Sequence, residues 1–266
     1  PIVYYISPQL WAWGRFRLHW IKRYVDHMLV LFPFEEAFYH RAGVPVTWVG
    51  HPLVDLARPR TPPQEAMARY GLNPWRRTVG LLPGSRTQEL SRHLPLFVNA
   101  ARRIAWRMPG VQFLLPCPPT TPAKWLEQSL ARATVDVHLA EGSIYDALQL
   151  MDAALVTSGT ATLEAALCEI PMAVVYRTAW PTYLMARAVV RIPHIAMVNV
   201  VAQRQVVPEF LQHQATPQRL AETMVDLLRD EARRTEMKAS LREITQRLGP
   251  PGGVSRAAHA ILDLLD

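Results

Sequence analysis

Short apolar runs alternate with longer amphipathic stretches along most of the chain. Ile2–Ile6 predicts a strand, Arg15–Tyr24 a basic helix, Met28–Phe32 a strand, Glu35–Arg41 a helix and Val46–Val49 a strand. Apolar runs of this length fit strands buried on both faces, and the amphipathic stretches fit helices that cover them. The rhythm is therefore that of a parallel α/β sheet. Arg58–Pro63, with three prolines in six residues, interrupts it and predicts a linker.

Past the linker the rhythm resumes. Strands are expected at Thr78–Leu82, Val111–Leu115, Val135–Leu139, Ala153–Thr157 and Met172–Tyr176. Helices are expected at Gln88–Arg107, Ala123–Ala133, Ile144–Met151 and Ala161–Cys168, and the remainder reads as mostly helical. Gly249-Pro250-Pro251-Gly252-Gly253 splits the last helical stretch, Glu231–Asp266. Residues 64–248 then form a complete doubly wound domain. Residues 1–57 form the later part of another, 58–63 the linker, and 249–266 a terminal helix that crosses back to the first domain. Three strands make half a domain, and residue 1 is Pro instead of Met, so the reading expects the other half to precede it.

Composition narrows the classes. With 50% hydrophobic and 19% charged residues the chain is globular. The net charge of +7 is carried almost wholly by Arg, since Lys22, Lys124 and Lys238 are the only lysines, and it gives a mild preference for anionic partners. No dense basic run with interleaved aromatics occurs, which argues against nucleic acid. Cys117 and Cys168 are unclustered, as in a reducing compartment. The first basic residue, Arg15, follows the initial apolar stretch instead of preceding it, unlike a signal peptide. No apolar run has membrane-spanning length.

Two turns carry candidate chemistry. After the Ala153–Val156 run, Thr157-Ser158-Gly159-Thr160 leads into a helix whose free N–H groups and positive end suit a phosphate. Glu164, one turn in, is placed to accept hydrogen bonds from the vicinal hydroxyls of a ribose. An ordinary strand-to-helix junction has the same outline. The second turn, Pro83-Gly84-Ser85-Arg86, follows an apolar run, carries a capping-box spacing in Ser85-x-x-Gln88, and aims Arg86 at the crevice above the strand ends. His51, in Gly50-His51-Pro52, either faces a cleft between domains or fixes its own turn. Trp11, Trp13, Phe16 and Trp20 lie beside Arg15, Arg17, Lys22 and Arg23. Trp11 and Trp13 are expected in the core, and the helix that follows suits an anionic membrane surface.

The absences are informative as well. The chain has no G-x-S-x-G, no P-loop and no G-x-G-x-x-G, and its histidines lack ligand spacing, so no metal site or cofactor is expected. Without an Asp-x-Asp pair, a leaving diphosphate must be neutralised by Arg, N–H groups and helix ends.

At this point the residues resemble lipid-A-disaccharide synthase, a bacterial glycosyltransferase family of the GT-B type with two Rossmann-like domains. The resemblance rests on Ser7-Pro8-x-x-Trp11-Ala12-Trp13, Phe32-Pro33-Phe34-Glu35 with Phe38-Tyr39, and Val49-Gly50-His51-Pro52 with Asp55. It continues through Leu81–Arg86 with Glu89, Ala154–Glu164, Pro171-Met172 with Tyr176-Arg177, and Asn199 with Arg204 and Pro208-Glu209.

The resemblance implies metal-independent, inverting transfer of diacylglucosamine from a UDP donor to the 6-hydroxyl of diacylglucosamine 1-phosphate, giving the β-1,6 lipid A disaccharide and UDP. Gly84, Ser85, Arg86, Ser158, Gly159, Thr160, Glu164, Asn199 and Arg204 would hold the donor. Ser7, His51, Tyr176, Arg177 and Gln203 would face the cleft. It further implies a cytoplasmic protein peripheral to the inner membrane. Val198 and Gln203 depart from the family's pattern beside Asn199 and Arg204, and the family's Gly-rich acceptor-side loop and general base have no counterpart here. On that reading the chain binds UDP weakly and does not turn over alone. The rival readings are another UDP-amino-sugar enzyme, an epimerase or the peptidoglycan transferase, and a binding module whose half-built first domain completes itself in a homodimer.

Overall fold

The computed structural model describes residues 1–117, 121, 123–131, 133–189 and 193–265. The chain forms two compact units. Unit 1 is Pro1–Leu56, Thr178–Pro193 and Glu243–Asp266, and unit 2 is Ala57–Arg177 and His194–Arg242.

Unit 1 opens with β1 (Val3–Tyr5), α1 (Leu18–Tyr24), β2 (His27–Val30), α2 (Pro33–Arg41), β3 (Val46–Trp48) and α3 (Leu53–Leu56). The strands are parallel in the order β1-β2-β3. Central β2 buries Met28, Leu29 and Val30, and its core includes Leu10, Ile21, Tyr39 and Val44. β1 ends before Ile6 because that residue adopts φ 68°, a left-handed conformation that a β-branched side chain rarely takes and a strand cannot contain. α2 begins earlier than the apolar pattern suggests, since Pro33 occupies its first turn, where a missing N–H does no harm.

Unit 2 continues with α4 (Pro63–Arg69), β4 (Thr78–Leu82), α5 (Thr87–Arg107), β5 (Gln112–Pro116), α6 (Ala123–Leu130), β6 (Val137–Ala140) and α7 (Ile144–Leu148). Next come β7 (Ala153–Thr157), α8 (Ala161–Leu167) and β8 (Met172–Tyr176). α9 (Trp180–Val189) falls in unit 1, after which α10 (Met197–Ala202), β9 (Glu209–Leu211) and α11 (Pro217–Arg229) return to unit 2. α12 (Glu231–Arg247) contains the last boundary between units, and α13 (Gly253–Leu262) belongs to unit 1.

Six parallel strands run in the order β6-β5-β4-β7-β8-β9. The chain lays β5 and β6 on one side of β4, then returns to lay β7, β8 and β9 on the other. The winding therefore reverses between β4 and β7, the switch point at which open α/β sheets leave a crevice. β4, β5 and β7 are buried at every position. α5 turns Leu90, Leu94, Phe97, Ala101 and Ile104 inward at helical spacing and packs against α11.

The Pro-rich segment is tied to unit 2. The Asp146 carboxylate of α7 accepts hydrogen bonds from Arg60 N (2.6 Å), Thr61 N (3.0 Å) and Thr61 Oγ1 (2.9 Å). In unit 1 the Asp55 carboxylate accepts from Gly252 N at 2.8 and 3.0 Å, and Arg256 donates to Val49, Pro250 and Pro251 carbonyls. A Cβ on Gly253 would stand 3.1 Å from the Gly50 carbonyl oxygen, so the close approach of α13 depends on that glycine.

Two elements escape the sequence pattern. β9 is three residues of half-buried Glu-Phe-Leu, too short to register as a run. α4 begins at the last proline of the supposed linker. The helix expected to reach Ala133 ends at Leu130, and Arg132 lies outside the described residues.

Candidate functional site

The turns that lead from β2, β4 and β7 into α2, α5 and α8 differ in how their first N–H groups are met. After β2, Glu35 sits at the third position of α2 and folds back. Its Oε2 accepts from Leu31 N and Phe32 N (both 3.2 Å), while Oε1 accepts from Ser7 Oγ (2.7 Å) and Trp11 Nε1 (3.1 Å). After β4, Glu89 at the third position of α5 does the same. Its Oε2 accepts from Ser85 N (3.2 Å) and Arg86 N (3.5 Å), and its Oε1 from Arg86 Nη1 (3.2 Å). The cap is thus Arg86 with Glu89, one residue later than the expected Ser85 and Gln88 pair.

After β7 the third position of α8 is Leu163, and the acid comes one residue later, at Glu164. From there it cannot reach back. Among the described residues no acceptor meets the N–H groups of Gly159, Thr160 and Ala161. Gly159 adopts φ 156°, and a Cβ on it would meet nothing within 4 Å, so open space lies above the turn. Ser158 faces the other way, its Oγ donating to the Ile195 carbonyl at 3.1 Å.

The β4 and β7 turns emerge side by side. The two strands pair in register, Leu82 against Val156, and adjacent strands stand about 4.8 Å apart. Arg86, with its side chain 84% exposed, therefore projects at the carboxyl edge beside the open N–H groups. Glu164 is held by the Tyr145 hydroxyl of α7, which donates to Oε1 at 3.1 Å. Burial raises the Glu164 pKa above the usual carboxylate range, and the Tyr145 hydrogen bond opposes that shift. Burial and the neighbouring carboxylate push the Tyr145 hydroxyl up as well, and Cys168, one turn beyond Glu164, is pushed up to about 11.

Tyr176 and Arg177 close β8 at the same edge. His93, buried in α5, bridges to them, with Nδ1 against the Glu89 carbonyl (2.9 Å) and Nε2 accepting from Arg177 N (3.3 Å). That pattern places the ring proton on Nδ1, and burial lowers the His93 pKa.

Two residues expected at the donor, Asn199 and Arg204, are engaged by other parts of the fold. Asn199 is fully buried in α10, and all of its hydrogen-bonding capacity is spent internally. Nδ2 donates to Val207 O (2.9 Å) and Glu209 Oε1 (2.7 Å), while Oδ1 accepts from Val206 N (2.8 Å) and Val207 N (3.0 Å). It staples α10 to the entry of β9. Arg204 follows Gln203, whose φ of 57° ends α10, and α10 carries the chain away from the carboxyl edge. Arg204 Nη2 donates to Ser240 Oγ at 3.1 Å and lines a cavity of about 340 Å³ with Met237. The Met237 sulfur receives Met172 N, the first residue of β8, so Arg204 and Gln203 lie at the amino edge of the sheet. The sequence reading placed them on a loop beyond the last strand because β9 was invisible to it.

In unit 1, Ser7 is buried on Glu35 and unavailable to a ligand in this arrangement. Burial raises the Glu35 pKa against the four hydrogen bonds that lower it. His51 is buried and fixes its turn: its N donates to Leu248 O (2.8 Å) and its Nδ1 accepts from Leu53 N (3.1 Å). Burial lowers its pKa to about 4, so the ring is neutral. Trp13, expected in the core, is 44% exposed, with the Arg17 guanidinium 4.1 Å from its ring centre. Phe16, 75% exposed in the 3-10 turn Arg15–Arg17, and Trp20, 54% exposed on α1, extend that surface. Among the described residues no helix is long and apolar enough to cross a membrane, and no three His, Cys, Asp or Glu side chains gather as metal ligands would.

Sequence reasoning assigned no role to Tyr145, Glu89 and His93. Glu89 was quoted only as part of the resemblance, its capping role unseen because its partner is an Arg, and Tyr145 was missed because nothing local ties α7 to α8.

A profile of the family described as Lipid-A-disaccharide synthetase matches residues 1–260. The lipid-A-disaccharide synthase of Geobacter sulfurreducens is 41% identical over 264 residues, covering 99% of this chain and 69% of the relative. That of Anaeromyxobacter dehalogenans strain 2CP-C is 44% identical over 266 residues, covering 100% of this chain and 69% of the relative. Among solved structures, the UDP co-structure of S. aureus MnaA is similar with TM-score 0.64 and 13% identity, covering 93% of this chain and 63% of that one. The lipopolysaccharide glycosyltransferase WaaG is similar with TM-score 0.53 and 13% identity, covering 82% and 58%. These last two likenesses are of fold.

Proposed function

This chain belongs to the lipid-A-disaccharide synthase family, glycosyltransferases of lipid A biosynthesis with a GT-B type α/β fold, and on that premise we propose that unit 2 holds a UDP-linked sugar donor at the β4/β7 switch point. The diphosphate lies on the N–H groups of Gly159, Thr160 and Ala161, with Arg86 from the neighbouring turn as its countercharge. Glu164, steadied by Tyr145, accepts from the ribose hydroxyls. Tyr176 and Arg177 border the same edge. The sugar transferred is diacylglucosamine, passed with inversion to the 6-hydroxyl of diacylglucosamine 1-phosphate. Negative charge grows on the departing UDP as the bond breaks, and preset N–H groups and a guanidinium stabilise it without a metal ion. The exposed aromatic and cationic face of α1 makes the chain a peripheral partner of an anionic membrane surface, where both acylated substrates reside.

The open N–H groups after β7, set beside Arg86 and one turn from Glu164, support this reading, whereas the turns after β2 and β4 are filled by their own glutamates. Calorimetry with UDP tests it. Binding is expected in the presence of EDTA and unchanged by added magnesium. Glu164→Ala is expected to weaken it roughly ten- to a hundredfold, the worth of hydrogen bonds to a charged group. No heat with UDP, or equal affinity in the variant, overturns the assignment.

A further inference from the structure

The β4 turn already contains an anion. The Glu89 carboxylate lies over Gly84, so close that a Cβ on that glycine would stand 2.5 Å from Oε2. Gly84, with φ 107°, is the residue that lets the glutamate fold back. Once folded back, Glu89 occupies the N–H groups of Ser85 and Arg86 with one oxygen and the Arg86 guanidinium with the other. A diphosphate arriving at the neighbouring turn seeks that same guanidinium.

Building on the donor-site reading, we propose that Glu89 is a positioning residue that holds Arg86 at the switch point when the site is empty and competes with the diphosphate for it when the site is filled. The contrast with Glu35 supports this. Glu35 sits in the equivalent place but is buried and bound by Ser7 and Trp11, so it is purely structural. The Glu89 side chain is one-third exposed, and among the described residues its second oxygen is bound only through an exposed Arg86, a partner that can leave. Arg86 is thereby presented in place before ligand arrives, and Glu89 reclaims it as UDP departs. The device limits how tightly the product is held and keeps stray phosphate off the β4 turn.

Glu89→Gln tests this, since glutamine keeps the capping acceptor while removing the charge. UDP affinity measured by calorimetry is expected to rise roughly three- to tenfold, the scale of one nearby charge in a half-exposed site. In an Arg86→Ala background the same substitution is expected to give clearly less than that gain, because there is no guanidinium left to contest. Equal gains in both backgrounds overturn the competition for Arg86. Unchanged or weaker affinity in Glu89→Gln, with wild type binding UDP, overturns the role of Glu89. No heat with UDP in wild type or variant overturns the donor site beneath it. Carbon-13 NMR of labelled glutamate gives an independent readout that spares the fold: the Glu89 carboxylate signal, assigned through Glu89→Asp, moves as UDP saturates the wild-type chain, and a stationary signal refutes the exchange of partners.

Discussion

Glu35, Glu89 and Glu164 show how one position along a helix decides what an acid does. At the third residue the carboxylate returns to its own turn, and at the fourth it faces α7. Sequence alone located Glu164 correctly in its helix, because a small-residue turn after a buried run has few alternatives. It could not separate Asn199 from a ligand contact, since a turn asparagine and a buried staple look alike until its partners are known. The staple makes its own prediction. Asn199→Ala leaves Val206 N, Val207 N, the Val207 carbonyl and Glu209 short of partners in a buried place. A loss of about 2–4 kcal/mol in denaturant unfolding is expected, with UDP affinity within about twofold of wild type. A tenfold weaker affinity at unchanged stability would return Asn199 to the donor pocket.

Among elements, the buried strands were the most legible. β4, β5 and β7 are apolar at nearly every position, and a run of that kind between turns has no other easy home. β9 failed because its half-buried residues mix charge with apolar side chains, and α4 because its prolines read as a break when they were a helix start. α1 was legible as a helix but ambiguous in its facing. Only Ile21 of its residues is buried, while Trp20 and Tyr24 stack at 5.9 Å on the outside. Aromatic rings exposed beside Arg15, Arg17, Lys22 and Arg23, with no acid between Arg15 and Tyr24, match an anionic interface in both apolarity and charge. Sedimentation with vesicles of phosphatidylglycerol in phosphatidylcholine should therefore pull the chain down, and less so at high salt. Replacing Phe16 and Trp20 together by Ser should reduce binding roughly tenfold or more, as expected when two partly inserted rings are lost. Equal partitioning of the double variant would remove α1 from the membrane face.

At the scale of the whole molecule, buried titratable groups shape the response to acid, and four of them pull in opposite directions. His51, lowered from 6.5 to about 4, and His93, also lowered, stay neutral in the fold while the unfolded chain takes up protons below 6.5. Their contribution is complete above 6.5 and is lost as pH falls toward the folded values. Glu35 and Glu164 are raised from 4.5, so the fold binds their protons first, and their contribution is present at acid pH and lost as pH rises through the folded values. Acidification therefore strengthens the two carboxyl sites while it undermines the two imidazoles. Below 4.5 the glutamates have nothing further to give, and the histidines are joined by Asp146, whose carboxyl is held below its usual value against burial by the hydrogen bonds from Arg60 and Thr61. His51 lies in unit 1 with Trp11, Trp13, Trp20, Trp48 and Trp180, while Trp75, Trp106 and Trp125 lie in unit 2, so tryptophan fluorescence follows the unfolding of both units and the comparison with the variant isolates His51. His51→Asn keeps an acceptor for Leu53 N but cannot take up a proton in this range. Between pH 7 and pH 4 wild type should lose about 3 kcal/mol more than this variant, the free energy of moving one imidazole over that interval. Parallel losses in the two proteins would mean that His51 is protonated as readily in the fold as in the unfolded chain, and the acid limb would then have to be traced to His93 and Asp146.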